Sequence, residues 1–361
     1  MLQSRDRAEL LSFLKKSCEE LEIVLLPDFF QDRILNLDCD PQTFSSIIEN
    51  VAKHKGGSID EIGQTDLNGG NAINTASALA ALGAKVIPIV NASEFGLRQI
   101  EFQFEKYHVD TSHVKLVSKP SKTTALEFKT DAGKANVMLR DLGSLIDFGP
   151  ADLTNADYEA IENADYVCIF NWAGTKKFGT QLAQAVFSLV KSKGKGKTYF
   201  DTADPTPNKE KAPDLLENVL KSRQIDILSL NENEAVFYAN LLGYKQNDQN
   251  TSSRLDELSF ECAKVLAKTL TSRIDLHTTT FSASIKKENE VVVPAFKIDA
   301  LRATGAGDAW NAGNIIADAY ALSDECRLIL ANAVSACYLS DPEGLHPTRQ
   351  KLTKFIKNLK Q

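Results

Sequence analysis

Ala303-Thr304-Gly305-Ala306-Gly307-Asp308-Ala309-Trp310 separates a β-rich stretch from a long run of apolar residues at helical spacing. Gly305 and Gly307 let the backbone turn tightly and approach a ligand closely, and the helix that follows aims its unpaired N–H groups and positive dipole end at the same place. The stretch therefore reads as an anion hole suited to a phosphate. Asp308, in the first helical turn, is placed to take a proton from an attacking hydroxyl, as phosphoryl transfer to an alcohol requires; its plainer role is to cap the helix. Two commoner glycine motifs are excluded. Trp310 stands three positions after Gly307, which rules out a dinucleotide fingerprint, and no Lys-Ser/Thr follows, as a P-loop demands.

A second glycine turn lies far upstream. Asp66-Leu67-Asn68-Gly69-Gly70-Asn71-Ala72-Ile73-Asn74 leads into a small-residue helix ending at Leu82-Gly83. Such a turn brings backbone close to a polyol, while Asn74 can donate and accept to neighbouring hydroxyls.

Together the two stretches resemble the signatures of the ribokinase-like (PfkB) carbohydrate kinases. Thr304 to Asp308 is similar to the end of that family's Asp-Thr-Thr-Gly-Ala-Gly-Asp, with Arg302 and Ala303 in place of the first two residues. Gly69 to Asn74 resembles the N-terminal signature, a Gly-Gly turn followed by a fixed Asn. Asn71 stands where some members carry Lys. The resemblance implies an α/β fold: a doubly wound, mostly parallel sheet flanked by helices, with a small β lid. It implies that the γ-phosphoryl group of ATP passes to a hydroxyl of a sugar or related polyol, ADP remaining open as donor. Asp308 would be the base, and the amides of Gly305, Ala306 and Gly307 would stabilise the transferring phosphate. A nucleoside or sugar-phosphate kinase, or a non-catalytic sugar- or nucleotide-binding regulator on the same fold, are the alternatives.

Composition agrees with an ordinary globular chain: 361 residues, 43% hydrophobic and 25% charged. A net charge of −7 argues against a general nucleic-acid surface. The six cysteines are scattered without a Cys-x-x-Cys pair, which suits a reducing cytoplasm, and no stretch reaches membrane-spanning length. Arg5, Asp6, Arg7 and Glu9 precede any apolar run, unlike a signal peptide.

Taken in order, residues 1–21 are expected as an N-terminal helical extension, with Leu11, Leu14, Cys18 and Leu21 on one face, and residues 22–361 as the kinase domain. Ile23-Val24-Leu25-Leu26 fits a strand buried on both faces, and ligands of open α/β sheets bind beyond such strand ends. Asp32 follows there, where the family places a carboxylate for substrate hydroxyls. Phe44, Ile47, Ile48 and Val51 mark a helix. Lid strands are expected from about 56–68 and 114–140, including a hairpin turning at Asp131-Ala132-Gly133, and in some relatives such strands pair two subunits as a homodimer. Only Gly96 remains of a family Gly-Asp after the strand at Val86 to Val90. Arg140 is read as solvated, and Asp201 and Asn171 as weak substrate contacts.

From about residue 156, apolar strands alternate with amphipathic helices, the rhythm of a parallel sheet. Asn231-Glu232-Asn233-Glu234 matches the family's Asn-x-x-Glu. Asn231 is implied in nucleotide binding and Glu234 in holding Mg²⁺ through water, since Mg²⁺ keeps most of its hydration; without the resemblance the pair reads as an acid-rich helix start. Thr278, Thr304 and Asn332 are the other implied nucleotide contacts. Thr280 occupies the place of a family glycine, and His277 is read as structural.

Overall fold

The computed structural model describes residues 3–131, 133–245, 254–302 and 304–359; Ala132 of the hairpin turn and Ala303 of the signature lie outside them. In chain order come α1 (Ser4–Phe13), β1 (Glu22–Leu26), β2 (Phe30–Leu37), α2 (Pro41–Lys53), β3 (Gly63–Gly69), α3 (Asn71–Ala81) and β4 (Lys85–Pro88). The short β5 (Asn91–Ala92), α4 (Glu94–Phe104), β6 (Lys115–Leu116) and the hairpin β7 (Ser121–Thr130) and β8 (Gly133–Asp141) follow. Helices and strands then alternate: α5 (Asn155–Asn163), β9 (Tyr166–Phe170), α6 (Gly179–Ser192), β10 (Lys197–Asp201), α7 (Ala212–Leu215), β11 (Ile227–Leu230), α8 (Glu232–Leu241), α9 (Leu255–Thr269) and β12 (Arg273–His277). The last elements are β13 (Phe281–Lys286), β14 (Asn289–Pro294), α10 (Ala306–Ala319), α11 (Asp324–Leu339) and α12 (Arg349–Asn358).

Among the described residues eight strands form one sheet in the order β14-β13-β12-β11-β10-β9-β1-β4, parallel from β4 to β12 and antiparallel over the last two pairings. Strand periodicity sends Ile23 and Leu25 into one core and Val24 and Leu26 into the other, so the sheet is covered on both faces. One core takes residues of α1, α3, α10, α11 and α12; the opposite core takes those of α6, α8 and α9.

The lid is a four-stranded sheet ordered β3-β2-β7-β8. β3, β7 and β8 are joined by β2, from a segment whose Gln31-Asp32-Arg33 does not read as strand. Here pairing on both edges of β2 overrides a weak local preference. The N-terminal helix also differs from expectation. It ends at Phe13, and Leu14, Cys18 and Leu21 reach the core through turns, Lys16 N–H donating to Phe13 O at 2.9 Å and Leu21 N–H to Cys18 O at 3.1 Å.

Beneath α10 runs a buried polar network that fixes this helix to the sheet. Arg327, 1% exposed, donates to Asp275 Oδ2 at 3.0 Å and to Ser284 Oγ and Asp324 Oδ1, each at 2.7 Å. Asn314 Nδ2 donates to Asp275 at 2.8 Å, Tyr199 Oη to Asn311 Oδ1 at 2.7 Å, and Asn311 Nδ2 to Asp201 at 2.6 Å. These bonds pair the buried polar groups apart from Arg327 Nε, and they set where the first turn of α10 stands relative to the strand ends.

Candidate active site

Gly305 is the N-cap of α10 and adopts a left-handed φ of +79°. No side chain caps this end, and the first backbone bond is Ala309 N–H to Gly305 O at 3.1 Å. The N-terminal N–H groups thus remain available to an anion, as the glycines imply. Asp308 stands in that first turn, but it does not cap the helix. Its Oδ1 accepts from Asn71 Nδ2 at 2.8 Å and its Oδ2 from Asn74 Nδ2 at 3.1 Å. Burial pushes its carboxyl up from 3.8 to about 8; Asn71 and Asn74 pull the other way, and the nearby charges of Asp201 and Asp28 add to the rise.

The Gly-Gly turn has a steric explanation at each position. A Cβ on Gly69 would lie 1.9 Å from Asp32 Oδ2, so only glycine admits that carboxylate. Gly70 has a φ of +99°, and a Cβ there would come within 2.8 Å of the backbone oxygen of Asp28. Asp32 Oδ1 is buried without a close hydrogen-bond partner, although the Thr123 hydroxyl lies near enough to the carboxyl to favour its charged form. The structure thus gathers Asp32, Gly69, Gly70, Asn71, Asn74 and Asp308 around one place.

The other implied contacts lie along the remaining strand ends. Asn231 caps α8 and closes a reciprocal box with Glu234: Glu234 N–H donates to Asn231 Oδ1 at 3.0 Å, while Asn231 N–H and Nδ2 donate to the two Glu234 oxygens at 2.9 and 2.8 Å. Thr278 Oγ1 accepts from Thr280 N–H and Phe281 N–H at 3.2 and 3.0 Å, holding the turn that lacks the family glycine. Asn332 is buried, accepts from Ser282 Oγ and Trp310 Nε1 at 2.6 and 2.9 Å, and donates to Pro294 O at 3.2 Å. Thr304 is the exposed residue just before the Gly305 cap.

The pfkB family carbohydrate kinase profile matches residues 44–350. The chain belongs to the PfkB family of carbohydrate kinases. It is an enzyme of the carbohydrate kinase kind. No curated protein matches it. Its fold is similar to the ribokinase of Arabidopsis thaliana complexed with ribose and ATP (18% identity, TM-score 0.69, 94% of this chain and 100% of that one). It is likewise similar to the ribokinase of Cryptococcus neoformans in complex with ADP (16%, 0.70, 94% and 100%) and to the nucleoside kinase of Methanocaldococcus jannaschii (16%, 0.67, 95% and 100%).

In this PfkB kinase the site holds groups that sequence reasoning passed over or ranked low. Asp28, fully buried just past β1, accepts from the N–H groups of Asn71 and Ala72 at 2.8 and 2.9 Å and from Asn171 Nδ2 at 2.8 Å. It caps α3 and so orients Asn71 toward Asp308. Its signal was its place at the C-terminal end of a buried strand. Asp201 and Glu234 are also buried, their carboxyls pushed up by desolvation and then, among other neighbours, by further carboxylates. Arg140 lies over the Phe30 ring at 4.9 Å, and its charge favours the ionised forms of Asp28 and Asp32. Among the described residues no group of three or more His, Cys, Asp or Glu is set to hold a metal, and no helix is long and apolar enough to cross a membrane.

Proposed function

We propose that this kinase transfers the γ-phosphoryl group of ATP to a hydroxyl of a neutral polyhydroxylated acceptor, a sugar or a nucleoside, with Asp308 as general base. The observation that carries this is Asp308 itself: a buried carboxylate held by two amides beside an uncapped helix N-terminus, with its carboxyl raised to about 8. A base is most effective when its pKa lies near the working pH. The acceptor hydroxyl gives its proton to Asp308 as its oxygen attacks phosphorus, and the amides of Gly305, Ala306 and Gly307 take the charge on the transferring group. Asp32, through its Oδ1, accepts from an acceptor hydroxyl, and the turn at Gly69 and Gly70 lets the substrate approach backbone, with Asn71 and Asn74 alongside. The carboxylates of Asp28, Asp32 and Asp201 disfavour an acceptor already carrying phosphate.

Asn231, Thr278, Thr304 and Asn332 face the nucleotide in this reading, Asn332 being fixed by the bond it accepts from the buried Trp310. Mg²⁺ fits the residues present. Burial and neighbouring acids disfavour the charged forms of Asp201 and Glu234, which a cation beside them would favour, and because both Glu234 oxygens already accept from Asn231, its contact would run through water. The ion would neutralise charge on the donor phosphates. Val137, Met138 and Leu139, all exposed on β8, fit pairing of two copies through the lid, and six free cysteines fit a cytoplasmic protein. The test is a mass-spectrometric screen of pentoses, hexoses, sugar acids, sugar phosphates and nucleosides with Mg²⁺ and ATP or ADP. A neutral acceptor gaining one phosphate from ATP supports the reading; turnover confined to sugar phosphates or acids contradicts it.

A further inference from the structure

We propose that Tyr338 is a further catalytic residue, its hydroxyl donating a hydrogen bond to the phosphoryl group in transit at the anion hole. This rests on the reading of Asp308 and the α10 N-terminus given above. The phenol sits against the N-cap of α10: a Cβ on Gly305 would lie 2.7 Å from Tyr338 Oη and 3.0 Å from its Cε1. Gly305 is therefore required twice, for its left-handed φ and for the ring beside it. Within the described residues the hydroxyl makes no hydrogen bond, and it is not among the buried polar atoms closed off from solvent. A free donor thus stands at the mouth of a helix terminus that already awaits an anion.

Two side chains hold the ring. Its partner in stacking is His346, 4.5 Å between centroids and 14° from parallel, whose Nδ1 pairs with Ser77 Oγ of α3 at 3.0 Å. The Arg302 guanidinium lies 5.4 Å from the Tyr338 centroid and donates to Pro342 O at 3.3 Å. Arg302, the signature departure, thus ties the approach to the anion hole to the turn beyond α11 through the tyrosine. Burial and the Asp308 charge push the phenol up, so it stays protonated as a donor. The tyrosine keeps its proton throughout: the acceptor O–H proton goes to Asp308, the new P–O bond forms, and the bond to the nucleotide's β-phosphate oxygen breaks.

The experiment compares Tyr338→Phe with wild type and Asp308→Asn, using Mg²⁺, ATP and the acceptor identified by the screen. Phenylalanine keeps the stack and removes only the donor. The expected result is a fall in kcat of about 10²-fold, the usual effect of losing one donor to a transferring group, with KM for ATP and acceptor little changed. Affinity for MgADP stays at the wild-type value, while affinity for MgADP with aluminium fluoride, a mimic of the group in transit, falls. Should Tyr338→Phe fold poorly, fluorotyrosine incorporated in wild type reports the same contact: its ¹⁹F signal at 338 shifts with MgADP and aluminium fluoride but not with MgADP alone. Wild-type kcat and wild-type aluminium fluoride affinity in Tyr338→Phe, or an unmoved ¹⁹F signal, overturn the proposal. If in that case wild type still turns over and Asp308→Asn does not, the kinase reading stands and the tyrosine alone is wrong; a wild type that phosphorylates nothing sinks both.

Discussion

Asn71 donates from its side-chain amide to Oδ1 of Asp308 at 2.8 Å although 237 positions of chain separate them. The two glycine turns therefore meet at one carboxylate. Because this bond favours the charged form against burial, it works with Asn74 to keep Asp308 within reach of neutral pH. The kcat/KM of the wild type should rise with pH through an apparent pKa near that of Asp308, about 8, well above an ordinary carboxylate. In Asn71→Ala the limb should move to higher pH. A limb near the ordinary carboxylate range in both proteins, measured with one acceptor from about pH 5 to pH 9, would remove the buried base from the account.

The same shift has a cost in stability. Asp308 rises from 3.8 to about 8 on folding, so between those values the folded chain holds a proton that the unfolded chain has released, and stability falls as pH increases through the window. Asparagine carries no such charge. The melting temperature of Asp308→Asn relative to wild type should therefore climb as pH increases from about 4 to about 8 and then level off. A pH-independent difference between the two proteins would show that this carboxyl is not perturbed.

Gly69→Ala tests the acceptor side alone. The added Cβ would fall 1.9 Å from Asp32 Oδ2, and the carboxylate must swing away from the place where it meets a hydroxyl. Misplacing a positioning group by about 1 Å costs roughly 10²-fold, and the loss should appear in kcat/KM for the acceptor. ADP affinity by calorimetry should be unchanged; equal losses on both sides would mean that the turn only holds the fold.

Arg327 lies in the network under α10, away from the acceptor groups. Replacing it with Met strips Asp275 of one of its two arginine partners and leaves Ser284 without a donor. Removing one member of a buried pair costs about 3–5 kcal/mol, which urea unfolding should register as a lower midpoint. A loss below about 1 kcal/mol would show that Arg273 alone compensates Asp275.

The parts of this architecture readable in the chain were those with a local cause. Ile23 to Leu26 announces a doubly covered strand by its unbroken apolar run, and Gly305 and Gly307 announce a turn that needs a left-handed residue and a bare helix end. Asn71, Asn74 and Asp32 followed from family resemblance, and their meeting at Asp308 and Gly69 is a long-range fact that no local pattern carries. β2 was hidden for a related reason: Gln31, Asp32 and Arg33 become strand only because β3 and β7 pair on either side. Asp28 was missed because a carboxylate capping a distant helix looks in sequence like any loop acid. Leu14, Cys18 and Leu21 kept helical spacing while lying in turns, since spacing reports which side chains are buried and not the backbone path between them.

The most direct test of the central claim is the turnover of Asp308→Asn beside wild type on the acceptor found by the screen, with ADP affinity measured on the same preparations. The account predicts a fall in kcat of about 10²–10⁴-fold with ADP affinity retained. An asparagine variant that phosphorylates the acceptor at the wild-type rate would contradict it.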